Sequence, residues 1–273
     1  MKYAVNYLNR LKLDNFDEII IDYNKQDREL PTFLQEHSDK IIVLSIKQIN
    51  FEDFYNDKEW IKLNAIYEKN NNFIVRFGEP GSFQEFNYFL QESISELKMP
   101  YFVGFVVTNY DQLQYMFSQR VSAVYLAEEI CFDLTCASGL CKQHKVQIRV
   151  FPNVAQSSIK AAPALKKFFL RPEDVELYSD VIDVLEFWGP LDRQEILVKI
   201  YKKGIWNNDL SALILDLDLP IDGRRMPPWF GAIRKDCRRE CARTGGCNKC
   251  FNLLAVGKKM REHNTFFIQK KKR

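Results

Sequence analysis

Four of the chain's seven cysteines fall within the fifteen residues Asp236–Cys250, DCRRECARTGGCNKC. They are spaced C-x3-C-x5-C-x2-C, and thiolates this dense are the ligand set of a tetrahedral zinc ion or a four-iron cluster. The C-x2-C half is the specific part, because two intervening residues let a turn aim both sulfurs at one ion. Gly245 and Gly246 supply the permissive dihedrals for such a turn. Cys237, Cys241, Cys247 and Cys250 are therefore expected to share one ion. Zinc is placed ahead of a 4Fe-4S cluster because four sulfurs complete a closed, structural tetrahedron. Without a cation the thiolates repel one another and resist desolvation. The alternatives are four reduced structural cysteines or two disulfides.

The same region carries much of the positive charge. Residues Arg224–Arg273 hold fifteen of the 39 Lys/Arg and three of the 36 acids, a net of +12, which leaves −9 on residues 1–223. An acidic body with a basic, cysteine-bearing end points to a polyanionic partner, nucleic acid first. Arg238, Arg239, Arg243 and Lys249 crowd the cysteines, where they would offset the negative charge of a zinc tetrathiolate and grip phosphates. The competing expectation is that the basic end packs on the chain's own acidic body; a protein partner is a further option.

Other reactive side chains are less concentrated. Cys131, Cys136 and Cys141 are spaced by five, which turns helical residues about 140° apart, so they share no helical face. They read as buried free thiols. His37, His144 and His263 are scattered. There is no phosphate-cradling glycine loop, no G-x-S-x-G and no H-E-x-x-H.

The elements that would position these residues alternate. Apolar, β-rich runs predict strands at Tyr3–Leu8, Glu18–Tyr23, Lys40–Ile46, Asn72–Phe77, Tyr101–Val107, Ala123–Ala127, Gln147–Phe151 and Ile182–Phe187. Near-continuous runs of this kind suit parallel strands buried on both faces. Helical periods lie between them at Asp27–His37, Phe51–Lys69, Ser82–Leu97 and Asp111–Arg120. In the third, Phe83, Phe86, Phe89, Leu90 and Ile94 form a core stripe. Asn109 or Asp111 is the expected cap of the fourth. Further helices are expected at Leu191–Lys203 and Leu210–Leu219.

Eight strands with intervening helices predict an α/β fold of the (β/α)8 barrel type, with a doubly wound open sheet as runner-up. The link between the first two strands is short for a helix. The barrel is expected over residues 1–219. After the break PIDGRRMPP, residues 220–273 form a basic, cysteine-rich, metal-binding extension. In a barrel, chemistry belongs at the C-terminal ends of the strands. The polar residues there are Asp22, Asn24, Lys47, Glu79, Asn109, Glu128, Glu129, Asn153, Gln156 and Glu186. Glu128 and Glu129 are adjacent, so in a continuing strand they would face opposite ways.

The segment Phe169–Tyr178, FLRPEDVELY, resembles the "IRPED…Y" segment of the peptidase U32-like family. There it is commonly followed by "IDxxKIxGR"; here VIDVLEFWGPLDR follows. The later IDGRRMPPWF resembles the family's "IDNR.LP..F", which precedes a cysteine cluster of this type. The resemblance covers about the last hundred residues. It implies a barrel and an activity of peptidase type, or hydroxylation of RNA or quinone with an iron–sulfur cluster. It also makes Arg171, Glu173 and Asp174 candidates for a retained site; Glu128, at the end of its strand, is a further catalytic candidate on position alone. Where relatives carry "N-E-G-C…C-P" after the seventh strand, this chain has PNVAQSS at Pro152–Ser158, so the barrel cluster's cysteines are absent from that loop. The other reading of RPED is a helix start, with Pro172 at its first position and acids in its first turn.

No apolar run has the length of a membrane span. The N-terminus MKYAVNYLNRLKLDNF lacks a signal-peptide pattern, so a reducing, cytoplasmic setting is expected, and that setting favours metal over disulfides. Enzyme and non-catalytic binding or assembly protein both stand at this point.

Overall fold

The computed structural model describes residues 1–6, 15–24, 28–47, 51–78, 96–126, 134–154, 169–215, 226 and 230–235. Nine strands form one all-parallel sheet: β1 Lys2–Asn6, β2 Glu18–Asp22, β3 Ile41–Ile46, β4 Phe73–Phe77, β5 Tyr101–Val103, β6 Val106–Val107, β7 Ala123–Leu126, β8 Gln147–Val150 and β9 Val184–Glu186. Their order is β5-β4-β3-β2-β1-β9-β8-β7-β6. The two ends of that order belong to one run of chain, parted only by Gly104 and Phe105. The sheet is therefore curled, as in a parallel α/β barrel. The expected strand Tyr101–Val107 is split because its first half pairs with β4 and its second half with β7.

The expected apolar runs are explained by burial on both faces of the sheet. Ala4, Ile20, Val43, Phe102, Ala123, Tyr125, Phe151 and Val184 form an inner cluster. Alternate residues on the same strands, among them Val5, Ile19, Leu44, Val75, Val124 and Leu185, join the larger cluster beneath the helices. Met226 and Phe230 belong to that larger cluster too.

The crossovers are helical where expected, with local corrections. The expected helix Phe51–Lys69 is two, Phe51–Asn56 and Glu59–Tyr67, broken where Lys58 adopts φ 52°. Asn56 and Asp57 compete for backbone hydrogen bonds there and favour a turn. Helix Tyr110–Ser118 is capped by Asn109, whose Oδ1 accepts from Gln112 N at 2.9 Å, while Gln112 Oε1 accepts from Thr108 N at 2.7 Å. Helix Leu191–Lys203 ends at Gly204, φ 67°. The expected helix Leu210–Leu219 is instead a short 3₁₀ turn, Leu210–Ala212, followed by an extended bridge of Leu215 to Val154. Leu215 N donates to Asn153 O at 2.7 Å, an extended pairing that a helix would forbid. Helix Leu30–Glu36 lies within the expected Asp27–His37. The link after β1, most of Ser82–Leu97, residues 216–219 and all of the PIDGRRMPP break but Met226 lie outside the described residues.

Candidate functional site

The cysteine quartet, Arg238, Arg239, Arg243 and Lys249 lie outside the described residues, as do Glu79, Glu128, Glu129, Cys131 and Gln156. Among the described residues, no group of three or more His, Cys, Asp or Glu is placed to hold a metal. No described helix is long and apolar enough to cross a membrane. Of the second cysteine cluster, Cys141 is buried and Cys136 is exposed, against the expected burial of both. Five residues along a helix turn a side chain to another face, so one thiol points inward and its neighbour outward. Burial pushes the Cys141 thiol up to about 12, so it stays protonated.

The RPED segment has a definite place. Pro172–Tyr178 is a 3₁₀ helix on the crossover between β8 and β9. Arg171 is buried and grips Asp174 with two hydrogen bonds, Nε to Oδ2 at 2.6 Å and Nη2 to Oδ1 at 2.7 Å. Its guanidinium carbon lies 5.3 Å from the centre of the Phe230 ring. Glu173 accepts from Trp206 N at 2.6 Å. Helix Phe230–Lys235, which leads into the cysteine segment, lies along this 3₁₀ turn. Gly231 fits against Asp174 so closely that a Cβ there would lie 2.3 Å from Oδ1. Tyr178 donates to Gly231 O at 3.4 Å, and Lys235 pairs with Asp180 at 2.8 Å. Arg171, Glu173 and Asp174 are thus brought together, but around the root of the cysteine segment. Each is committed to a protein partner.

The sheet interior holds a second cluster that the sequence reading missed. Arg149 on β8 reaches Glu18 on β2 at 2.7 Å and Glu186 on β9 at 3.2 Å. Arg76 on β4 donates to Glu186 at 2.8 Å, to Tyr125 Oη at 3.2 Å and to Ser45 Oγ at 3.0 Å. Tyr125 donates to the other Glu186 oxygen at 2.6 Å. Two guanidinium groups thus face two carboxylates where a barrel interior is ordinarily filled by branched apolar side chains. Burial works against the charge on Arg149, but Glu18, Tyr125 and Glu186 outweigh it and raise its pKa. Burial is also the main cause that raises Tyr125, reinforced by Glu186. Among the described residues Glu18 Oε1 has no hydrogen-bond partner; Lys2 Nζ lies 3.5 Å away. The signal for most of this cluster was present: Arg76, Arg149 and Glu186 each stand between apolar neighbours, and a charge there must be buried and paired.

Of the polar residues expected at the C-terminal strand ends, Glu186 belongs to this cluster. Asn109 is a helix cap. Asp22 pairs with Lys47 at 2.8 Å. Asn153 is a clamp: its Nδ2 donates to Trp188 O at 2.6 Å, and its Oδ1 accepts from Trp188 N at 3.0 Å. That holds Trp188, 44% exposed, against Phe151 with ring centres 5.1 Å apart.

The fold places the chain in the class of parallel α/β barrel-like proteins. Comparison with protein-family models and with curated proteins found no match.

Proposed function

We propose that this is a divergent U32-like barrel protein that acts on or binds RNA or another polyanion through its basic C-terminal segment, with a metal held by Cys237, Cys241, Cys247 and Cys250. The observation that carries this reading is the charge partition, +12 on Arg224–Arg273 against −9 on the rest. The finer fold in this reading is a (β/α)8 barrel over residues 1–219, with β5 and β6 counted as one strand, and a metal-binding extension over 220–273. Four sulfurs suit zinc as a closed site, and a 4Fe-4S cluster is the alternative.

A second reading, a non-catalytic zinc-stabilised binding or assembly protein, is favoured by the RPED contacts. Arg171 and Asp174 spend their polar atoms on each other, which leaves that motif a structural role. Metal analysis after anaerobic purification separates the two. About one zinc per chain and no colour supports the assembly reading, whereas iron with acid-labile sulfide supports an enzyme of the U32 type. RNA binding is measured by anisotropy against salt. Counterion release predicts a steep fall in affinity as salt rises, and Arg238→Glu with Arg239→Glu is expected to weaken it. Absence of RNA and DNA binding at low salt overturns the polyanion reading.

A further inference from the structure

Cations gather where the chain enters β7, β8 and β9. Arg120 precedes β7, Lys142 and Lys145 precede β8, and all three are exposed. Lys235 reaches the turn before β9 through Asp180. Arg120 and Lys145 have φ 58° and 56°, left-handed positions just past the ends of helices Tyr110–Ser118 and Leu134–Gln143. Glycine or asparagine occupies such positions at least cost. A cation there complements the helix end, and both of these heads also remain unpaired with any acid among the described residues. The nearby acids are engaged. Asp180 gives its carboxylate to Lys235 and its carbonyl to Lys142, and Asp183 accepts from Ile148 N at 2.8 Å.

The three turns 119–122, 143–146 and 179–183 contribute none of the exposed large apolar residues. A protein interface wants an apolar or aromatic anchor at its centre. A phosphate backbone asks only for cations and donors.

We infer that the rim formed by the N-terminal ends of β7, β8 and β9 is a docking surface for the phosphate backbone of a nucleic acid. This rests on the polyanion reading and gives it a location. The nucleic acid is held at the end of the sheet opposite Trp188 and the Asp22–Lys47 pair, so the surface grips and orients without taking part in chemistry there.

The test is the full chain carrying Arg120→Asn and Lys145→Asn, which removes two charges while keeping a residue at home in the left-handed region. Lys58→Asn makes the same change at a left-handed position on the β3–β4 crossover, away from the arc. Binding of a labelled oligouridylate is read by anisotropy across a salt series, with thermal unfolding as the folding control. The double variant is expected to keep its melting temperature, to bind several-fold more weakly at low salt, and to show a log–log salt slope shallower by about 1.4, two lost contacts to a single strand. Lys58→Asn is expected to match the unaltered chain. If the double variant binds with unchanged affinity and slope while Arg238→Glu with Arg239→Glu weakens binding, the arc is not the surface and the tail reading stands. If the unaltered chain binds no oligonucleotide at low salt, both fall together.

Discussion

Arg149 is fully buried and answers two carboxylates from opposite parts of the sheet, Glu18 and Glu186. Removing one member of such a group strands a charge in a poor solvent, and that costs more than the pair itself is worth. Arg149→Met is therefore expected to lower stability by about 3–5 kcal/mol, read from urea unfolding. Adding Glu18→Leu should recover much of that loss, and failure to recover would mean that packing around the arginine stem dominates instead. Two neutral groups outside this cluster contribute to the alkaline limit. Burial pushes the Cys141 thiol from 9.0 to about 12, and burial likewise pushes the Tyr101 phenol from 10.0 to about 12. Both folded values lie above the unfolded ones, so the fold gains from their protonated forms. That gain is complete below about pH 9 and is lost between there and pH 12. Unfolding midpoints are expected to be level up to about pH 9 and then to fall. Cys141→Ala should remove the thiol's share of the fall. Iodoacetamide at pH 8 should modify Cys136 and spare Cys141 until the chain unfolds.

Helix Phe230–Lys235 has only six residues and would not persist alone. It is held by Phe230 against Arg171, by Gly231 against Asp174 and by Lys235 against Asp180. Asp174 cannot swing aside for a larger neighbour, because Arg171 holds both of its oxygens. Gly231→Ala is thus expected to cost about 1–3 kcal/mol of local stability, the range for overpacking. Limited proteolysis should then cut close to this helix much faster, with the far-UV signal of the sheet retained. Unchanged protection would show that the helix is held from elsewhere. The same contacts tie Arg171 and Asp174 of the RPED segment to this helix.

For the molecule as a whole, the cysteine segment and the curled sheet are expected to respond separately. Cysteines apart, only Ala242 is apolar between Cys237 and Cys250, so on the proposed metal reading the ion takes the place of a hydrophobic core there. On the proposed metal reading, Cys247→Ser is expected to lower the metal content of the purified chain while most of the far-UV signal survives; joint collapse would mean that sheet and segment form one cooperative unit. Parallel α/β architecture was legible from residue type alone, because burial on both faces demands runs such as IIVLSI and FIVRF, and polar caps such as Asn109 mark helix starts. The quartet's donor chemistry and the charge partition were legible for the same reason: they are properties of residue identity and spacing. Tertiary structure alone decided that Tyr101–Val107 divides its pairing between β4 and β7. It alone brought Glu18, Arg76, Arg149 and Glu186 together across separations of up to 131 residues. It also brought Gly231 against Asp174 of the RPED segment from 57 residues further along the chain. Those outcomes depend on which distant groups share a low-dielectric space, and local spacing along a chain carries no record of that.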